Sequence, residues 1–287
     1  MRLHNAHAEL HIPDGMEESP ALSRITHLGI GAHHDDLEFM AFHGIKECFH
    51  HPDQKWFGGV TCTDGAGSSR TGRYAAFSDE KMRDVRRHEQ RSAAVVGQYA
   101  AIFQLDYSSA SIRGASAPLL VDDIEQILRA SRPEVVYTHN PADKHNTHLS
   151  VFASVLSAIR RLDPNLRPKT LLGCEGWRGL DWMNDPEKVT LDVSGHDHLA
   201  AALNGLFDSQ IAGGKRYDLA TLGRRSANAT FLNSHASDQA SQLSLAMDLT
   251  PLILDDNLDP VAFTLGAVDR FREDVRSRLS AAFQATP

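Results

Sequence analysis

Between residues 25 and 162 short apolar runs alternate with segments of helical period. The runs ITHLGIGA (25–32), KWFGGVTCT (55–63), AIFQLDYS (101–108) and PEVVYTH (133–139) read as strands. The intervening stretches 36–50, 78–97, 117–132 and 148–162 read as helices. Ser78 stands where an N-cap belongs and Gly97 where the helix should stop. Strands alternating with helices need right-handed crossovers, so the expected fold class is α/β, with a mainly parallel sheet and helices on both faces. After residue 165 the pattern loosens. TLLGCEGW (170–177) and KVTLDVS (188–194) read as strands, HDHLAAALNGLFDSQ (196–210) and VDRFREDVRSRLSAAF (268–283) as helices. The expected organisation is a core over 1–210 and a mostly helical C-terminal extension, 211–287, packed on it.

Composition removes several function classes. The chain has 287 residues, 41% hydrophobic, enough for a sizeable core. A net charge of −8 argues against nucleic acid and against an anionic membrane surface as partner. Three cysteines, Cys48, Cys62 and Cys174, form no C-x-x-C pair and fit a reducing compartment. The opening MRLHNAHAELHIPDG has no apolar h-region, and no apolar run approaches the ~20 residues that span a bilayer. The expectation is a cytoplasmic protein with a small-molecule partner. A homo-oligomer is compatible with the pattern.

In an open α/β sheet, ligands bind beyond the carboxyl ends of the strands. Two such ends are rich in titratable groups: GAHHDDLE (31–38) after the first strand and THNPADKHNTHLSV (138–151) after the fourth. A catalytic zinc site takes three His, Asp or Glu ligands and keeps a position open for water. His33 and Asp36, three residues apart, can face one ion, and His148 can supply the third ligand. Asp35 is then a free carboxylate able to take a proton from water, and His145 can stabilise an oxyanion from the other side. The Gly/Ser-rich loop 64–77 should hang over these strand ends, with Arg70 and Arg73 as candidate substrate contacts.

These residues carry a family resemblance. GAHHDDLE resembles the A-H-P-D-D-x-E motif of the PIG-L/LmbE-like zinc N-deacetylases. HNPADKHNTH is similar to that family's second motif, VRRHEQRSAAVVG to its R-x-x-E helix, and FDSQ (207–210) to its H-x-S-Q segment without the histidine. The resemblance implies a Rossmann-like fold and hydrolysis of an N-acetyl or other N-acyl group from an amino-sugar conjugate such as an N-acetylglucosamine derivative. Residue by residue, it implies His33, Asp36 and His148 as ligands of Zn²⁺, or of another divalent ion such as Fe²⁺. It implies Asp35 as base, His145 as the charge-stabilising histidine, and Arg86 as the motif arginine that positions substrate. Three departures stand out: His34 replaces the motif proline, Asn146 and Thr147 replace Pro-Asp, and the histidine of H-x-S-Q is absent. The lost carboxylate at 147 bears on how the neighbouring histidine is oriented.

Rival readings are a sugar- or metal-binding module that kept the site, a hydrolase of a non-sugar amide, and an iron(II) oxygenase on the same ligand set. Gly29 and Gly31 overlap a G-x-G pattern, but His34 stands where a dinucleotide fingerprint needs Gly or Ala. His139 ends its strand and is open between a ligand role and a local hydrogen bond.

Overall fold

A computed structural model describes residues 1–51, 53–115 and 117–285. The first half runs β1 (Glu9–His11), α1 (Glu18–Ser23), β2 (His27–Gly31), α2 (Asp36–Met40), α3 (Phe42–Cys48), β3 (Phe57–Thr63), α4 (Asp79–Val96), β4 (Ala101–Tyr107), α5 (Ser109–Ile112) and α6 (Ala117–Ser131). The second half runs β5 (Val135–His139), α7 (Asn146–Arg160), β6 (Thr170–Cys174), β7 (Lys188–Asp192), α8 (Asp197–Gly205), α9 (Asp208–Ile211), α10 (Tyr217–Phe231), β8 (Leu243–Asp248), α11 (Pro251–Leu254) and α12 (Pro260–Gln284).

The eight strands form one sheet in the order β1-β4-β3-β2-β5-β6-β8-β7. The five strands β4-β3-β2-β5-β6 are parallel, as the α/β alternation requires. Taken in chain order they read 3-2-1-4-5, the doubly wound pattern whose strand order reverses between β2 and β5. The loops after these two strands are GAHHDDLE and HNPADKHNTH, so the topology brings the two titratable stretches to one crevice.

Side-chain alternation explains the two cores. Leu28 and Ile30 of β2, with Val60, Phe103 and Val136, pack against α6 and α7. The opposite face of the sheet presents Phe57, Ile102 and Tyr137 to α2, α3 and α8. Gly29 lies on this second face because α2 comes too close for a side chain. A Cβ there would lie 2.8 Å from the Phe57 ring and 3.0 Å from Leu37.

Three expectations need correction. The 36–50 helix is two helices, broken at Ala41, whose φ of −106° and ψ of 17° leave the helical basin. Arg225 donates to the carbonyls of Glu38 and Phe39 beside this break, satisfying acceptors that a helix end leaves open. The 196–210 helix is likewise broken, into α8 and α9. The segment 211–287 is mostly helical, but it is no mere appendage: β8 lies inside the sheet, antiparallel to both β6 and β7. The expected 268–283 helix is the later part of α12, which starts earlier with Asp259 capping Val261 N–H and Pro260 in the first turn.

Gly29→Ala is expected to destabilise the protein by ~1–3 kcal/mol through overpacking between β2 and α2. The check is a lower urea midpoint at unchanged slope; an unchanged midpoint would mean that α2 moves away freely.

Candidate metal centre and its surroundings

Asp36 opens α2 and is nearly buried, and three imidazoles meet its Oδ2. His33 Nδ1 lies 3.3 Å away, His139 Nε2 3.4 Å and His148 Nε2 3.5 Å. His33 Nδ1 and His148 Nε2 are 3.2 Å apart. The structure therefore brings His33, Asp36 and His148 together pairwise at 3.2–3.5 Å. Donors held ~2.0–2.2 Å from a tetrahedral Zn²⁺ are spaced by roughly 3.3–3.6 Å. The residues present thus fit a divalent cation.

His139 belongs to this cluster but serves it differently. Its Nε2 accepts the Ala32 N–H at 3.0 Å, so that lone pair is already engaged. The ring stacks on His148, centroids 3.8 Å apart and planes 14° from parallel, and so fixes the neighbouring ligand's plane. His145 caps α7 and stands beside the ligands, its ring 4.9 Å from His33 and 4.6 Å from His148. His145 also makes a donor trio with His33 and His148.

The carboxylate absent at position 147 has a counterpart three residues before His145's turn begins to wind. Asp143 Oδ1 accepts His145 N–H at 2.9 Å, and its Oδ2 accepts Trp177 N–H at 3.0 Å. The same Oδ2 lies 3.5 Å from His148 Nδ1, the ring nitrogen turned away from the cluster. Asp143 thus holds the two motif histidines and the Trp177 loop from one point. It stands within HNPADKHNTH, and only its spacing from His148 hid the role from sequence reasoning.

Asp35 is fixed from three sides. Its φ of 95° is left-handed, a conformation that Asp and Asn tolerate better than most residues. Its N–H donates to Gln90 Oε1 at 3.3 Å, and Gln90 Nε2 donates to Glu38 Oε1 at 2.8 Å. The glutamate that ends GAHHDDLE is therefore a buried prop, also held by Tyr99 Oη at 2.7 Å. The Asp35 carboxylate accepts from Arg86 Nη2 at 2.8 Å. Arg86 is buried, also bonded to Glu89, Ser209 Oγ and the His34 carbonyl, so it holds the acid. His34 turns its own ring away, toward Gln104 Oε1 at 3.1 Å.

Electrostatics follow from this packing. Burial would raise the Asp36 carboxyl, but His148 and His139 outweigh it and hold the group well below the ordinary range. Burial likewise raises Asp35; Arg86 opposes and Asp36 assists, leaving it at about 6. Burial and the His33 and His148 rings bring His145 down to about 4, so it is a neutral imidazole with an N–H to donate.

These groups line a cavity of about 670 Å³. Gly65, Gly67, Ser68 and Ser69 bring the 64–77 loop to its wall, as expected of that loop. Arg70 and Arg73 are not among the lining residues. Arg70 is spent on Phe77 and Ala66 carbonyls and Asp79, and Arg73 on Asp208 and Tyr74. The far wall comes from Glu175, Trp177, Tyr217, Arg224 and Arg225, which no motif announced.

Residues 28–159 match the family model described as PIG-L, GlcNAc-PI de-N-acetylase. This segment belongs to the PIG-L family. Solved structures share the fold across most of the chain. The N,N'-diacetylchitobiose deacetylase of Pyrococcus horikoshii is 16% identical at a TM-score of 0.61, covering 84% of this chain and 90% of its own. GalB, the 4-carboxy-2-hydroxymuconate hydratase of Pseudomonas putida, is 16% identical at 0.60, covering 78% and 96%. The zinc-inhibited form of teicoplanin deacetylase Orf2 is 13% identical at 0.53, covering 78% and 97%. No curated protein matches the chain at a significant level. The PIG-L match ends at the close of α7, so the far wall of the cavity lies outside it.

His148→Ala is expected to lower bound zinc, measured by atomic absorption after dialysis, from near one equivalent to well below. His139→Gln should weaken zinc ~10–100-fold while keeping the stoichiometry, as a loss of orienting support does. Equal loss in both variants would make His139 a ligand.

Proposed function

We propose that the chain is a metal-dependent N-deacetylase that removes an acetyl group from an amino-sugar conjugate, with zinc as its metal. The observation that carries this reading is a buried, left-handed Asp35 held beside three converging metal-donor groups without being one of them. His33, Asp36 and His148 would hold the ion. Bound there, a divalent cation polarises the acyl carbonyl and lowers the pKa of a water toward ~7.

The chain's own groups do the rest. Asp35 accepts the proton of the attacking water, and the Arg86 ion pair keeps its carboxylate aimed. Neutral His145, oriented by Asp143 through its backbone N–H, donates to the oxyanion as the acyl carbon becomes tetrahedral. The proton held by Asp35 then passes to the departing nitrogen, leaving acetate and a free amine. Trp177, stacked at 6.2 Å from the His145 ring, offers an apolar face for a sugar ring. Buried free thiols and the absence, among the described residues, of a helix long and apolar enough to cross a membrane support the reading of a protein of the reducing cytoplasm.

The test is acetate release by zinc-loaded protein from a panel of N-acetylglucosamine derivatives. Asp35→Asn should keep zinc and lose ~10²–10⁴ in kcat. His145→Ala should keep zinc and lose ~10²–10³ in kcat. Near-normal turnover by Asp35→Asn would overturn the base assignment. Tight binding of these sugars without acetate release would make the chain a binding module.

A further inference from the structure

The cavity wall is positive in an acidic protein. The chain carries a formal charge of −8, yet this cavity is lined by more cations than carboxylates. Asp35 is paired with Arg86, and Asp36 faces the imidazoles, so neither neutralises the far wall. That wall receives Lys215 from just before α10 and Arg224 and Arg225 from the middle of that helix. None of the three meets a carboxylate in an ion pair among the described residues. On α4, by contrast, Arg83, Arg86, Arg87 and Arg91 each meet one.

Arg225 is the sharpest case. It is 2% exposed. Its Nη2 donates to the Glu38 and Phe39 carbonyls at 2.8 and 3.0 Å, and its guanidinium lies 4.4 Å over the Phe42 ring. These contacts dock α10 on α2, but none cancels the charge, and Nε and Nη1 have no acceptor. Burial brings this guanidinium down to about 10, and the nearby Glu175 carboxylate offsets that only in part. Arg224 gives one nitrogen to the Gly176 carbonyl. Lys215 Nζ sits 5.2 Å over the Trp177 ring. Glu175 also lines this end, but its Oε1 is engaged by Asn228 Nδ2 at 2.6 Å and Leu245 N–H at 3.1 Å.

Trp177 joins this wall to the hydrolytic end. Its indole lies between His145 on one side, Lys215 and Tyr217 on the other, with ring centroids 6.2 Å from His145 and 6.0 Å from Tyr217. Trp177 is thus in contact range of both His145 and Lys215. We propose that Lys215 and Arg224, backed by the buried charge of Arg225, form an anion subsite, so that the deacetylated sugar bears a phosphate or a carboxylate. This rests on the deacetylase reading and narrows its substrate class.

The experiment compares acetate release from N-acetylglucosamine, its 1-phosphate, its 6-phosphate and N-acetylmuramic acid, using zinc-loaded protein and the variants Lys215→Gln and Arg224→Gln. These positions are chosen over Arg225, whose loss would undock α10. At least one anionic member should exceed the neutral sugar by ~10-fold or more in kcat/KM, chiefly through KM, with sensitivity to salt. Which member leads separates phosphate from carboxylate. Each substitution should cost that member ~10-fold more than it costs the neutral sugar. Equal rates for all four, or a preference that survives both substitutions, would overturn the subsite. Should no member release acetate, the deacetylase reading fails on its own, and titration calorimetry of the four sugars decides the subsite. Binding of an anionic member that Arg224→Gln abolishes would uphold it, and no such binding would overturn it.

Discussion

The site depends on one buried carboxylate. Asp36 sits among three imidazoles in a place that water barely reaches, where an isolated negative charge would be costly. The His33 backbone N–H donates to it at 2.7 Å and the rings favour its charged form, while His139 keeps its near nitrogen for the Ala32 N–H. A divalent cation would match the carboxylate's charge and take up the two facing ring nitrogens as donors. The β2–β5 reversal is what makes this arrangement reachable, since it sets two loops from distant parts of the chain side by side.

Around that point the supports are arranged in a closed sequence of contacts. Glu38 holds Gln90, Gln90 holds the Asp35 backbone, and Arg86 holds the Asp35 carboxylate. Arg86 is braced by Glu89, and Glu89 accepts from both the N–H and the hydroxyl of Ser209, each at 2.7 Å. The R-x-x-E pair and the FDSQ segment are thus one device. A carboxylate set in a left-handed turn needs such over-determination, because strained backbone persists only where its surroundings fix it.

This explains what was legible in the sequence. The parallel sheet, the two loops and the groups His33, Asp35, Asp36, His145 and His148 follow from local pattern, because a strand end followed by a helix start is encoded within a few residues. The breaks at Ala41 and between α8 and α9 were not legible, since they answer to partners far along the chain, such as Arg225. Arg86 lines the cavity, and its contacts with Asp35 and Ser209 come from partners far along the chain. Arg70 and Arg73 stay off the cavity wall for a simple reason. A loop can bring its backbone to a cavity while its long side chains fold back on local acceptors.

The segment after residue 210 supplies what the motif segment lacks. The residues that match the PIG-L family supply His33, Asp35, Asp36, His145 and His148 to one end of the cavity. Selection needs a second wall, and it comes from the 175–177 turn and α10. β8 locks that wall in place: its backbone lies between β6 and β7, and Leu245 N–H fixes Glu175, which in turn holds Asn228 of α10. The insertion of a late strand into the sheet is therefore more than an edge finish. It ties the selective wall rigidly to the strand that leads into Trp177, so the cations of α10 stand at a set distance from His145. Within one fold, the cluster of donor groups and the cationic wall are carried by different stretches of chain, tied together through β8.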